Sequence, residues 1–452
     1  MNAPRDIAAA PAVMEAYFHD LAAVLEQSLT ASETYTACFS AEVSDFVRMN
    51  RGKVRQPGTV VQRYLAVELI VGARHASHLV SLTGDLTEDR SSLRAVVSDL
   101  RAIVPDLDPD PHLMIATDVE PTRAARGGPL PPSEAVIDAV LGAASGLDLV
   151  GLYAGGPIHR GFANSFGQRN WHEATTFNLQ WSLYHRDDKA VKSALSGFAF
   201  DERALAAKMD EARALLSHVA VPPRTLGPGK YRAYLTPAAM EEIAALLCWG
   251  GFSARALETK QSSLSRMREG ARLDPRVTMT EAIADGVAPA FQGDGFVRPQ
   301  RVALVEGGAL VGSLVSPRTA REFSLAANGA NGYESPEALA INGGVLATRD
   351  ALAALDTGLF VGNLHYLNYS DRPACRMTGM TRFATFWVES GKIVAPINVL
   401  RFDDTIYRMF GSNLEALTQE TELILESSTY SERALASMRL PGALLSELEF
   451  TL

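Results

Sequence analysis

Positive charge is in short supply: 42 Lys+Arg stand against 52 Asp+Glu, a formal charge of −10. A chain so balanced repels phosphate backbones, which argues against general nucleic-acid binding. Cysteine is scarce too. Cys38, Cys248 and Cys375 are odd in number and widely spaced, with no C-x-x-C, so neither a disulfide framework nor a thiolate zinc knuckle is indicated, and a reducing cytoplasm fits best. No run of about 18 apolar residues occurs, so no membrane span is expected. Arg5 is followed by a short Ala/Pro stretch and an amphipathic pattern, not by the sustained apolar core of a secretory signal. Neither G-x-x-x-x-G-K-S/T nor G-x-G-x-x-G occurs between a strand and a helix, which leaves nucleotide binding without support.

What is present suffices for a large core. The 452 residues are 47% hydrophobic, an ordinary share for a globular chain about three domain-lengths long. Met14, Tyr17, Phe18, Leu21 and Leu25 recur at helical spacing and predict an opening surface helix with His19 solvated. Thr59 to Val71 reads as a strand and Ser92 to Val104 as a helix. Gly127, Gly128, Pro129, Pro131 and Pro132 mark a joint, followed by a helix from about Ser133. Phe177, Leu179, Trp181 and Leu183 alternate with polar residues as a half-buried strand does. The turn Arg186-Asp187-Asp188-Lys189 then predicts a hairpin.

A helix from Glu202 to His218 precedes a second joint at Pro222 to Gly229. Thr236-Pro237 is a favoured helix start, and Gly250 and Gly251 are its stops. Arg382 to Val388 and Ile393 to Val399 predict a hairpin around Glu389-Ser390-Gly391-Lys392. These signals give an α+β protein with an N-terminal domain (1–121), a middle segment with a hairpin (122–227) and a β-rich C-terminal domain (228–452).

Four constellations bear on chemistry. His75 and His78 form an H-x-x-H pair, but on a strand residues three apart point to opposite faces. His172-Glu173 resembles the start of H-E-x-x-H, yet Thr176 stands where the second imidazole belongs, so His172 reads as structural or solvated. Gly251-Phe252-Ser253-Ala254-Arg255 is a near miss to a nucleophile elbow. Cys375 is a candidate thiol nucleophile if His365 lies beside it, with Arg372 and Arg376 as charged neighbours; the bland reading is a small buried apolar residue. The most unusual patch is Leu359 to Trp387, rich in aromatics and amides. It reads either as a packed β region with satisfied polar groups or as a cleft whose open backbone accepts a peptide as an added strand.

The order Gly358-Leu359-Phe360-Val361, then Thr378-Gly379-Met380-Thr381-Arg382-Phe383-Ala384, then Val388-Glu389-Ser390-Gly391-Lys392-Ile393-Val394-Ala395-Pro396-Ile397 resembles the end of TldD/PmbA-family proteins. Asn164-Ser165-Phe166-Gly167, the segment Ser316 to Ala320 and, less closely, Arg48 to Gln56 extend the resemblance. It implies a mixed α and β fold. It also implies that TldD-type chains carry zinc in the C-terminal domain and pair with TldE/PmbA-type chains lacking it, the pairs acting as peptidases on unfolded or small peptides. Catalytic members place H-E-x-x-x-H on the helix after the start of that domain, with a Cys near the C-terminus as a third ligand.

This chain instead reads Leu246-Leu247-Cys248-Trp249-Gly250-Gly251-Phe252-Ser253-Ala254-Arg255, and no Cys follows Cys375. The resemblance therefore implies an accessory subunit with no metal of its own, any zinc belonging to a partner chain. Its expected partners are a TldD-type catalytic subunit or further copies of itself, and a peptide, with neither nucleic acid nor membrane. Asn363, Tyr366, Asn368, Arg372, Thr378 and Gly379 are the expected peptide contacts. Two other readings remain open: a self-sufficient peptidase using Cys375, with His365, or Ser253; and a peptide-binding module without catalysis.

Overall fold

The computed structural model describes residues 11–186 and 189–451. The Ala/Pro stretch after Arg5 and the centre of the turn at 187–188 lie outside the described residues. The chain opens with helix α1 (Pro11–Ser28), whose stripe of Met14, Phe18, Leu21 and Leu25 is buried while His19 is exposed. Strand β1 (Thr34–Asn50) buries Tyr35, Ala37, Phe39 and Ala41 at alternate positions against that stripe, the period of two that a pleated strand imposes. It turns through Arg51 and Gly52, at φ 53° and 64°, into β2 (Lys53–Val71); tight hairpins favour such left-handed pairs. β3 (Arg74–Ser81) extends the sheet, and α2 (Leu86–Ile103) lays Leu93, Val97 and Leu100 beside α1.

Strand β4 (Thr122–Arg126), helix α3 (Ser133–Ala143), strands β5 (Asp148–Asn164), β6 (Arg169–Arg186) and β7 (Lys189–Gly197), and helix α4 (Glu202–Val219) follow. Strand order is β3-β2-β1-β5-β6-β4, with β7 also paired to β6. The segment read from sequence as a separate middle piece thus shares one sheet with the first, because β1 pairs directly with β5 from Thr36↔Asn164 to Met49↔Gly151. The Gly/Pro stretch after Arg126 is a connection within that unit and does not separate two sheets. Strand β6 buries Phe177, Leu179, Trp181 and Leu183 as its alternation predicts.

The C-terminal domain comprises β8 (Gly229–Leu235), α5 (Pro237–Cys248), α6 (Ala254–Glu258), α7 (Ser265–Arg268), β9 (Met279–Glu281), β10 (Val302–Glu306), β11 (Ala309–Leu310), α8 (Pro317–Phe323), β12 (Ala338–Ile341) and α9 (Ala351–Leu355), then strands β13 to β18. These are β13 (Gly358–Asp371), β14 (Arg376–Glu389), β15 (Lys392–Pro396), β16 (Arg401–Thr405), β17 (Leu414–Leu425) and β18 (Ser437–Phe450). β8 pairs with both β13 and β18, β13 with β14, β14 with β16, and β16 meets β18 at Phe402↔Phe450, so five strands close a ring. The β14–β15 hairpin turns through Ser390 and Gly391 at φ 49° and 72°. The two domains share a core: Trp181, Leu183, Val191 and Leu216 pack in one cluster with Tyr234, Phe360, Phe386 and Leu444. Among the described residues, no helix is long and apolar enough to cross a membrane.

Candidate functional site

Helix α5 starts where the sequence places it. The Thr236 side chain accepts from Ala239 N and Pro237 fills the first turn, which satisfies or removes amides that would otherwise go unpaired. Thr236 also donates from N to Val361 O (3.1 Å) and from Oγ1 to Gly362 O (2.7 Å), tying the start of α5 to β13 where β8 stops pairing with it. At the other end Tyr369 Oη donates to Leu246 O (2.7 Å), and Arg372 Nη2 to Trp249 O (2.7 Å). Helix and strand therefore run side by side.

β8 covers the outer edge of β13 only over Leu359–Val361, and no described strand covers it from there to Asp371. Bulges interrupt the β13–β14 register after Val361, His365 and Tyr369, and Tyr366 (φ 59°) sits in one of them, 78% exposed. α5 buries Met240, Ile243, Ala244 and Leu247, leaves Glu241 and Glu242 half-buried and exposes Ala245. Burial pushes the Glu241 carboxyl up to about 7, with Glu242 beside it adding to the shift; burial raises Glu242 as well, and His365 opposes that rise. Sequence reading overlooked this carboxylate pair, although two adjacent Glu on an otherwise apolar helix were visible.

The structure divides the expected peptide contacts. Tyr366 and Asn368 lie along the open stretch of β13 and Arg372 just past its end; Asn368 is exposed, and its Oδ1 accepts from Tyr369 N. Asn363 is buried. Thr378 donates to Phe402 O and accepts from Arg401 Nε, and Gly379 lies against Leu367, whose Cδ1 an added Cβ would approach to 2.7 Å. Thr378 and Gly379 serve the β14–β16 pairing.

Cys375 and His365 are not brought together. Cys375 is fully buried in the turn after Asp371, where Arg372, Ser263 and Ile406 are the groups that act on its thiol, whereas His365 pairs with Met380 well along the hairpin. Burial pushes the Cys375 thiol up to about 12, the reverse of what a nucleophile needs. Iodoacetamide at neutral pH is expected to leave Cys375 and the buried Cys248 unmodified until denaturant is added; mass spectrometry of the native protein reads this directly.

Ser253 is no better placed to attack. Its Oγ caps α6 by accepting from Ala256 N and donates to Glu334 Oε2 at 2.6 Å. Glu334, 1% exposed and at φ 53°, also accepts from Arg255 N and Ser316 N. One carboxylate thus fastens the starts of α6 and α8. Glu334→Ala would strand three donors at roughly 1 kcal/mol each, so a loss of about 3 kcal/mol is expected in urea denaturation; a loss within error would mean that water substitutes for the clamp.

The residues at the end of α5 do not fit zinc. Burial raises the Cys248 thiol, Trp249 is 59% exposed and has no lone pair to offer a metal, and Ser253 is committed to its cap. Elsewhere His75 Nδ1 lies 2.6 Å from Glu68 while His78 faces solvent. His172 is buried and its Nε2 donates to Val287 O, a structural role. Among the described residues no three His, Cys, Asp or Glu side chains converge as a metal would require.

Residues 228–452 match the profile of the PmbA/TldA metallopeptidase C-terminal domain. The chain shares its fold with TldE from Thermococcus kodakarensis, at 13% identity and TM-score 0.74, over 96% of this chain and 100% of that one. It also resembles a candidate DNA gyrase modulator from Bacteroides thetaiotaomicron, at 13% identity and TM-score 0.73, over 98% and 99% of the two chains. A second such protein, from Thermotoga maritima, shares 11% identity at TM-score 0.71, over 97% and 100%. No curated protein matches the chain.

Proposed function

Since the chain belongs to the TldD/PmbA family through its C-terminal domain, we propose that it is the non-catalytic partner of a TldD-type zinc peptidase, holding unfolded or small peptides while the metal acts from the other chain. The observation that carries this reading is a juxtaposition: a strand edge with which no described strand pairs, β13 from Asn363 to Asp371, beside a helix at whose end no set of zinc donors converges among the described residues. An uncovered edge presents a row of amides and carbonyls that an extended peptide can pair with irrespective of sequence, and side chains such as Tyr366 and Asn368 then set its register. The fold is shared with a solved TldE, which accords with this reading. Three free cysteines accord with work in the cytoplasm.

Co-expression with a TldD-type chain from the same cell tests the reading. One co-eluting species is expected, with peptidase activity that neither chain has alone and that a strong chelator abolishes. Two separate peaks with no gain of activity would sink the partnership. Hydrolysis by the isolated chain that survives chelation would point back to a protein nucleophile, against the geometry of Cys375 and Ser253.

A further inference from the structure

Arg372 differs from most of the arginines around it in how its charge is held. Its Nε donates to Gln261 O (3.1 Å) and its Nη2 to Trp249 O (2.7 Å). Both acceptors are neutral carbonyls, and no carboxylate pairs with this guanidinium among the described residues; the neighbouring Asp371 instead receives Ala374 N. The guanidinium carbon lies 5.2 Å from the ring centres of both Trp249 and Tyr369, whose own centres are 6.5 Å apart. Gly250, at φ 75°, makes room for it, since a Cβ there would fall 2.9 Å from Nη2.

The side-on edge of the fork is thus fixed by the protein. The end-on edge is free: Nη1 donates to no protein group and is not buried. The bland account is a cation placed to satisfy the carbonyls at the end of α5, where the helix dipole favours positive charge. That accounts for one edge and leaves the other, with its charge unneutralised between two aromatic faces, at the end of the open strand. A guanidinium immobilised in this way is prepared for the planar, two-oxygen geometry of a carboxylate, which it binds through parallel N–H donors.

We propose that Arg372, walled by Trp249 and Tyr369, captures a carboxylate of the peptide that lies along β13, and so anchors the peptide's register. The proposal rests on the peptide-holding reading above. The carboxylate comes either from the peptide's C-terminus or from an acidic side chain, and the test separates the two.

Fluorescein-labelled decapeptides of Ala, Val and Thr would be titrated into the full chain and followed by anisotropy. They would carry a free C-terminus, a C-terminal amide, or the amide with a Glu in the last position. The free acid is expected to bind at least about tenfold tighter than the plain amide, a typical gain for a bidentate charged pair. If the Glu-bearing amide matches the free acid, a side chain suffices; if it matches the plain amide, the terminus is required.

In Arg372→Met the ratio of acid to amide affinity should fall to about one, and Arg372→Lys should restore only part of the ratio. A ratio measured on one sample is unmoved by any fraction that fails to fold. Equal binding of acid and amide to the wild-type chain, or a ratio that persists in Arg372→Met, overturns the carboxylate anchor and leaves edge binding intact. If no peptide binds, edge binding itself fails and the anchor with it.

Discussion

Arg433→Ala is expected to lower the stability of the whole chain by about 3–5 kcal/mol, the range for a buried charge removed from its partners, read as a fall in the urea midpoint at unchanged slope. Arg433 belongs to the connection between β17 and β18, in the C-terminal domain, yet its guanidinium is 2% exposed inside the N-terminal sheet. It donates to Ser44 Oγ (3.2 Å), Gly156 O (3.0 Å), Thr176 O (2.8 Å) and Thr176 Oγ1 (2.7 Å). The sheet opens to receive it. β1 and β5 pair at Glu42↔Ile158 and again at Asp45↔Gly155, but not between. Gly156 there adopts φ 144°, with Val43 O so close that a Cβ would lie 2.1 Å from it.

Removing the side chain takes away the donors that reach the Gly156 and Thr176 carbonyls. It also leaves the buried Glu42, whose charge favours the Arg433 cation, without that neighbour. Arg433→Met refills the volume without restoring the bonds. If methionine recovers most of the lost stability, packing and not hydrogen bonding holds the domains here.

That latch was not legible in the sequence, and the reason is general. Arg433 sits in a polar stretch, Ser427 to Glu432, with no local sign that it crosses to another domain. Local chemistry was readable: the cap at Thr236, the stripe of α1, the alternation of β6 and the hairpin at Ser390-Gly391 all stand as their residues predict. Strand β5 was invisible, because Gly151, Gly155, Gly156, Pro157 and Gly161 erase its periodicity. Close approach of other atoms explains these glycines, Gly156 beside Val43 O among them. A Cβ at Gly161 would lie 2.7 Å from the Phe18 ring, and one at Gly155 would lie 2.2 Å from Tyr153 Oη. Without β5 there was nothing to show that the first two segments form one sheet.

At the candidate site the family resemblance and the side-chain composition pointed to the same stretch, and composition alone could not place its residues. Aromatics and amides over Leu359 to Trp387 could not reveal which lie on the uncovered edge and which face β16, since that depends on the bulges around Asn363 and Tyr366. The loss of H-E-x-x-x-H was plain from sequence. What replaced it was not: the Ser253–Glu334 clamp joins residues far apart in the chain, and Glu334 drew no notice because it is one acidic residue in a Gly/Asn-rich loop.

Acid should unfold this protein earlier than its surface charge suggests, through two histidines on neighbouring strands. His159 and His172 are 0% and 1% exposed, and burial drives both down to about 4, helped at both by the cation of Arg160. Arg63 acts further on His159 and Arg126 on His172. Neither ring nitrogen of His159 has a partner; the ring stacks on Trp171 at 5.6 Å between centres.

Both imidazoles are neutral in the folded chain, whereas in the unfolded chain they take up protons near pH 6.5. Stability is therefore complete above about pH 6.5 and is lost as pH falls toward 4, by about 3 kcal/mol per histidine at roughly 1.4 kcal/mol per pKa unit. Glu173, 3.9 Å from His159 Nδ1, has its own carboxyl raised by burial, so it gains a proton more readily when folded and offsets a little of the loss at the acid end. Urea midpoints taken from pH 7.5 to pH 4.5 should fall steeply below pH 6.5. His172→Gln, which keeps a donor for Val287 O, should remove about half of that slope. A wild-type chain equally stable at pH 5 and pH 7.5 would mean that these rings reach water or a carboxylate in the folded state, and the buried, neutral pair would have to be abandoned.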